Sequence, residues 1–258
     1  MALKNIAASP GIILFMLVTL CTRLPLRAQD KPNGEDVIRN MYARYHGKLY
    51  TDISFEQNSA FYKDHQLLRN ETWFEAAKLP GQLLIRFDSA NSANGLLFKD
   101  DSVYRFREGA LVRSSHRIHE LVLLCFDIYF YKPGKSIDKL HQLGFNTSAA
   151  YRKTMGSKKV IVLGASSEKD TSANQFMVDE EQLVVIGVYM KEAGKTRVVE
   201  MDSYRMIGKY PVATEILFYV NGELNLRETY SRISFNKQPA ELFEPAKFPK
   251  GSIVLEKR

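Results

Sequence analysis

The apolar positions of this chain follow two different periods, and the change between them comes early. Over residues 34–48, Val37, Ile38, Met41, Tyr42 and Tyr45 recur at i, i+3/i+4 spacing, as on one face of a helix. Glu35 and Asp36 sit where they complement the helix dipole, and Gly47 is a stop. From residue 51 the period becomes two. Ile53, Phe55 and Phe61 share one face of a strand over 51–63, opposite Asp52, Glu56 and Asn58. A second strand is expected over 67–78, then Leu79-Pro80-Gly81 breaks the pattern. Leu83, Ile85 and Phe87 next alternate with Gln82, Arg86 and Asp88, which places Arg86 outward. Short turns at Ala93-Asn94-Gly95 and Asp100-Asp101 lead into strands over 96–99 and 103–107. Loops this short allow only adjacent antiparallel strands.

Residues 116–131, HRIHELVLLCFDIYFY, interrupt the strands. Ile118, Leu121, Val122, Leu124, Cys125, Ile128 and Tyr129 have helical spacing, and Leu123, Phe126 and Phe130 make the helix apolar almost all round. Such a helix needs cover on most sides, and a curved sheet wrapped around it is the simplest cover. Two readings stand: an ordinary core helix, or a lid over a cavity able to take a ligand. Pro133-Gly134 is expected to end this helix, and Ser136 to cap a second one over 137–143 before Gly144. Strands then resume over 159–164, 174–179, 183–190, 197–206, 212–220 and 223–235, with a hairpin turn at Asn221-Gly222. Residues 183–190 and 215–220 are apolar on both faces, so neither face should meet water there. The tail packs at Leu242-Phe243-Glu244-Pro245 and is expected to fray towards its end. The architecture that follows is mainly β (α+β): one domain of about ten or eleven antiparallel strands with helices on one side.

Composition adds a destination. Lys4, the apolar run 11–21 and Leu26-Arg27-Ala28 read as a secretory signal peptide over 1–28, leaving a domain over 29–258. The run is shorter than the roughly 20 residues a membrane span needs. Cleavage leaves Cys125 as the sole cysteine, read as an inert core residue, so stability must come from the core and not from disulfides. Export without disulfides points to a bacterial periplasm. The formal charge of +7 falls to about +4 once Lys4, Arg23 and Arg27 are removed, too mild and scattered for nucleic acid.

Catalytic patterns are lacking. His116 and His119 lack the further ligands of a metal site and read as surface histidines at a helix end. Gly164-Ala165-Ser166-Ser167 does not make a nucleophile elbow. Asp100-Asp101 and Asp179-Glu180-Glu181 read as turn residues. No cofactor is implied, and the balance favours a binding protein over an enzyme.

The order of these segments resembles the LolA family of periplasmic lipoprotein carriers. TDISFEQNSAFY (51–62), LPGQLLIRFD (79–88), NGLLFKDDSVYRF (94–106), NQFMVDEEQLVVIGVYM (174–190) and the stretch 214–245 resemble its outer-membrane lipoprotein-sorting branch. The resemblance implies an unclosed β-barrel with helices lidding the concave face. It also implies a monomeric carrier of acylated lipoproteins or lipids, loaded by an inner-membrane ABC exporter and emptied at an outer-membrane acceptor. The cavity would be lined by Ile53, Phe55, Leu83, Ile85, Phe87, Leu96 and Phe98 of the sheet, and by Leu121, Leu124 and Ile128 of the lid. The arginine that the family places just before its third strand has no match here, where Lys78 is the nearest cation. The same fold also serves as a non-transport sensor domain in the cell envelope.

Overall fold

Thirteen strands form a single antiparallel sheet, and its two edges are joined by the helices. The computed structural model describes residues 31–201 and 203–256. The expected signal peptide lies outside the described residues. The first helix, α1 (Gly34–Tyr45), is capped by Asn33, whose side chain accepts from the N–H of Glu35 at 2.9 Å and of Asp36 at 3.4 Å. A meander follows: β1 (Asp52–Lys63), β2 (Gln66–Lys78), β3 (Gln82–Phe87), β4 (Gly95–Lys99), β5 (Ser102–Arg107) and β6 (Ala110–His116). Helices α2 (Glu120–Cys125) and α3 (Pro133–Gln142) flank a short 3-10 turn at Asp127–Tyr129. The second meander runs through β7 (Ala150–Met155), β8 (Lys158–Leu163), β9 (Gln175–Asp179), β10 (Val185–Glu192) and β11 (Lys195–Glu200). After it come β12 (Tyr204–Ile207), β13 (Tyr210–Ala213), β14 (Glu215–Val220) and β15 (Glu223–Ser234).

Spatial order explains why the helices lie where they do. The sheet runs β6-β5-β4-β3-β2-β1-β15-β14-β11-β10-β9-β8-β7, so β6 and β7 are its opposite edges. Residues 117–149 connect those edges and therefore cross one face, called here the inner face. The first meander is closed onto the last strand by β1–β15 pairing, in which Gln57 faces Tyr230 and Ser59 faces Glu228. At the β14–β15 turn, Asn221 and Gly222 both have positive φ, at 52° and 86°, as the Asn-Gly signal requires.

Several local expectations change. The apolar run is not one helix from residue 116: β6 extends to His116, and α2 begins at His119, whose Nδ1 accepts from the Leu121 N–H at 3.2 Å. It breaks at Phe126 (φ −128°, ψ −67°). Pro133 opens α3 instead of closing its predecessor, because a proline costs nothing at the first helical position. Ser136 is accordingly interior and buried, not a cap. Edge strands β6 and β7 carry too few inner-face apolar residues to announce themselves. The expected strands over 197–206 and 212–220 each break, and the freed halves form the separate β12–β13 hairpin.

The outer face of the first meander is sealed by the C-terminal tail. Leu242, Phe243 and Ile253 pack on Ala76, Leu84, Leu97 and Phe106, with Phe248 and Leu255 beside them. The tail is therefore held on the sheet as far as Leu255, and the fraying expected towards Arg258 falls at the end of the chain, where residues 257 and 258 lie outside the described ones. Arg86 does face outward, but it is 0% exposed beneath that tail. Its Nη1 donates to the carbonyls of Gly251 (2.8 Å) and Ala90 (3.1 Å), and its Nη2 to those of Pro249 (2.9 Å) and Lys250 (3.2 Å). The planar guanidinium gathers four carbonyls that the strand pattern alone could not place. Of the two stretches apolar on both faces, β10 is buried from Val185 to Val188, whereas β14 keeps Leu217 and Tyr219 half-exposed.

Candidate functional site

The inner face is unevenly filled. Beneath α1 and α3, the half of the sheet built from β8 to β11 is packed solid. Val37, Ile38 and Met41 of α1 and Ile137 and Leu140 of α3 share one cluster with Ile161, Leu163, Phe176, Val178 and Val199. Under the first meander no helix descends as far. A cavity of ≈ 270 Å³ remains there, lined by Ile53 and Phe55 of β1, Trp73 of β2, Leu83 and Ile85 of β3, and Leu96 and Phe98 of β4, and it reaches Tyr45, Tyr129, Met201, Ile216 and Phe218 at the margin of the solid cluster. Helix α2 divides the two halves. Leu121, Val122 and Cys125 line the cavity, as do Phe126 and Phe130 beyond the helix, while Leu123, Leu124 and Ile128 point into the solid half.

Seven of the ten residues expected at a cavity thus do border one: Ile53, Phe55, Leu83, Ile85, Leu96, Phe98 and Leu121. Three do not. Leu124 and Ile128 are wholly buried on the far side of the dividing segment. Phe87 shares the inner face but lies at the end of its strand, half-buried with its ring 5.3 Å from that of Trp73. Helical spacing cannot tell which side of a helix faces a space when both sides are apolar. The missed lining includes Tyr204, Pro211, Val212 and Ala213 of the β12–β13 hairpin.

Polar ties hold the dividing segment down. The Asp127 carboxylate accepts from the Gly81 N–H at 2.7 Å, just before β3. Gly81 has φ +90°, and a Cβ there would lie 2.8 Å from the Tyr131 hydroxyl, so the position requires glycine. A backbone amide therefore binds the lid at the place where the family resemblance would put an arginine. Burial pushes the Asp127 carboxyl up to about 7, against the pull of the Gly81 N–H and of Lys139. Lys139 of α3 pairs with Asp101 in the β4–β5 turn. Glu120 pairs with Arg197 of β11 at 3.0 Å, and the Val185 N–H donates to the Tyr129 hydroxyl at 3.0 Å.

His119 is not a surface histidine. It caps α2, lines the cavity and stands edge-on to Phe98 at 4.8 Å, and burial lowers its pKa. His116 is exposed, and among the described residues no cluster of three metal-ligating side chains occurs. Cys125 also lines the cavity instead of lying in a closed core. Its thiol is pushed up to about 12, by burial first and then by Glu228 and Glu120, so it stays protonated and unreactive.

One part of the wall is not apolar. Glu75 of β2 and Glu228 of β15 both border the cavity although they are 6% and 8% exposed. Sequence reading missed them because each occupies an apolar-face position in a strand that otherwise alternates. Burial raises both carboxyls, Glu228 to about 7 and Glu75 well above the usual range, and the charge of Glu228 pushes Glu75 further.

No protein-family model matches the chain, and no curated protein does. Solved structures do. A putative outer membrane lipoprotein-sorting protein domain from Vibrio parahaemolyticus superposes with a TM-score of 0.57 at 11% identity, covering 84% of this chain and 98% of that one. A DUF1329 family protein from Desulfovibrio piger gives 0.53 at 14% identity over 82% and 95%. A LolA superfamily protein from Nitrosomonas europaea gives 0.49 at 10% identity over 82% and 97%. Likeness at these identities concerns the fold. The fold is the expected unclosed antiparallel sheet with helices over its inner face, shared with the lipoprotein-sorting domain and the DUF1329 protein.

Proposed function

We propose that the chain is a periplasmic, non-enzymatic carrier that shelters the acyl chains of lipoproteins or other lipids and ferries them towards the outer membrane. The observation that carries this reading is the unfilled apolar space between β1–β4 and α2. Burying a methylene is worth about 0.8 kcal/mol, so a chain of about ten carbons gains several kcal/mol there. The tied lid offers a way to open, because its polar links are few and reach single residues of the sheet. The similar lipoprotein-sorting domain supports the same reading at the level of fold. In keeping with a carrier between membranes, no helix among the described residues is long and apolar enough to span one. An exporter that loads the carrier and an acceptor that unloads it complete the proposed route.

The size of the cavity favours a second reading. A space of ≈ 270 Å³ lies below the roughly 300–1,000 Å³ of drug-sized ligand sites. As it stands it suits one chain better than several, which fits a sensor of a single lipid. Purification from the native periplasm without detergent, followed by mass spectrometry of extracted material, separates the two. Acylated peptides or intact lipoproteins in the extract support the carrier, and free single-chain lipids support the sensor. A protein that emerges empty and takes up no added lipoprotein or lipid contradicts both.

A further inference from the structure

The floor of the cavity holds a buried carboxyl with no protein partner. Glu75 makes no hydrogen bond and no ion pair among the described residues, although it is more than nine-tenths buried and borders the open space. Gln57 lies between the two carboxyls in register, facing Trp73 on β2 and Tyr230 on β15. Its Nε2 donates to Ser59 Oγ at 2.8 Å and its amide also faces Glu228, while its Oε1 is buried with no partner. The Tyr230 hydroxyl donates to Glu228 Oε2 at 2.9 Å. That leaves the Glu75 carboxyl, at the cavity wall, without a protein partner, while Gln57 Oε1 is enclosed behind the wall and out of reach of the space. Basic side chains do not supply one: Arg197, the cation on the cavity wall, is committed to Glu120 and Glu192, each at 3.0 Å. Aromatic rings border the same ground. Phe55 is directly opposite Glu75 across β1–β2 and stacks on Tyr230 at 4.4 Å, and Trp73 is two residues away on the strand of Glu75.

Buried acceptors without donors are costly, and a ligand that brings donors relieves the cost. A neutral acceptor such as an ester pairs only with a protonated acid and offers nothing to the ionised form. A primary ammonium brings three N–H groups and a positive charge, suits a carboxyl pair, and is attracted by aromatic faces. We therefore propose that Glu75 and Glu228 form a subsite for the primary ammonium head of a single-chain amphiphile whose tail fills the apolar cavity. The inference rests on the acyl-binding reading above and adds the head-group chemistry to it. As the ammonium enters, a carboxyl proton leaves to solvent, so binding strengthens as pH rises.

The test compares decylammonium with decanol, below their aggregation limits, by calorimetry on the mature protein. The expected result is decylammonium binding at least tenfold more tightly at pH 8, with the preference shrinking by pH 5. Glu75→Gln/Glu228→Gln, which copies the shape of the protonated acids, should erase the preference while decanol affinity holds. The net positive charge of the protein works against cations, so it cannot produce this preference. Should the double variant fold poorly, the pH dependence of the wild-type preference decides alone. Equal affinity for the two probes, or a preference that survives in the variant, overturns the subsite and leaves acyl binding intact. The subsite is likewise overturned if methyl decanoate binds better than decylammonium, most strongly at acid pH. Failure of both decanol and decylammonium to bind overturns the subsite and the acyl reading together.

Discussion

The two halves of the inner face are built from the same kind of strand, yet one is solid and the other hollow. Under α1 and α3, the inward Ile, Val and Phe residues of β8 to β11 meet helix side chains. Under the first meander, inward Leu83, Ile85, Leu96 and Phe98 meet α2 along one side only and otherwise border empty space. The difference lies in what crosses the sheet. The connection from edge to edge must pass over both halves, but most of its helical length, with α1 added, is spent on the second. What the hollow half lacks inside it gains outside, where the tail and Arg86 seal its back. An apolar face is thus a core or a binding site according to its cover, not its own residues.

The contrast breaks most sharply at α2. Leu124→Asp puts an unpaired charge into the solid half and should cost more than about 4 kcal/mol, enough to prevent folding. Leu121→Asp, three residues earlier, faces the cavity and should leave a folded protein, seen by circular dichroism, that no longer takes up an acyl probe. Equal effects of the two would show that α2 does not divide the halves. Arg86→Ala strips four partly buried carbonyls of their donor. It should lower stability by about 3–5 kcal/mol in urea titrations, with the first meander losing hydrogen-exchange protection first. Bulk sharpens the comparison next. Ile85→Trp fills open space and should weaken probe binding at least tenfold, at a stability cost under about 1 kcal/mol, whereas Ile161→Trp overpacks the solid half and should cost about 1–3 kcal/mol or more without touching the cavity.

A smaller effect comes from pH. The folded protein holds a proton on Glu228 up to about 7, whereas the unfolded chain releases it near 4.5. The folded state therefore binds more protons in that window, and stability must fall as pH rises through it. Glu228→Gln removes this contribution. The stability gap between wild type and variant should move by roughly 2–3 kcal/mol between about pH 4.5 and 7.5, with wild type relatively more stable at the acid end. A gap that stays constant would mean Glu228 is solvated.

Strand periodicity made most of this fold legible. The alternation of Leu83, Ile85 and Phe87 placed those residues on the inner face, and Asn221-Gly222 marked its turn correctly. Three kinds of information were out of reach. Alternation shows that Arg86 faces away from Ile85, but not that residues 249–251 return from far along the chain to cover it. An all-apolar helix carries no phase, so Leu124 and Leu121 looked alike, although Leu124 is enclosed in the solid cluster while Leu121, packed against that cluster, borders the cavity. Glu75 and Glu228 drew no notice, because a carboxyl on a buried face has no meaning until its neighbours across three strands are known.

The hollow half can be observed directly. Trp73, the single tryptophan of the chain, lines the cavity. Titration with a decanoic chain brominated near its end should quench its fluorescence strongly and saturably, and Leu121→Asp should abolish the saturable part. Binding by calorimetry that leaves Trp73 unquenched would place the chain elsewhere on the molecule. That result would contradict the claim that the unfilled half of the sheet is the site.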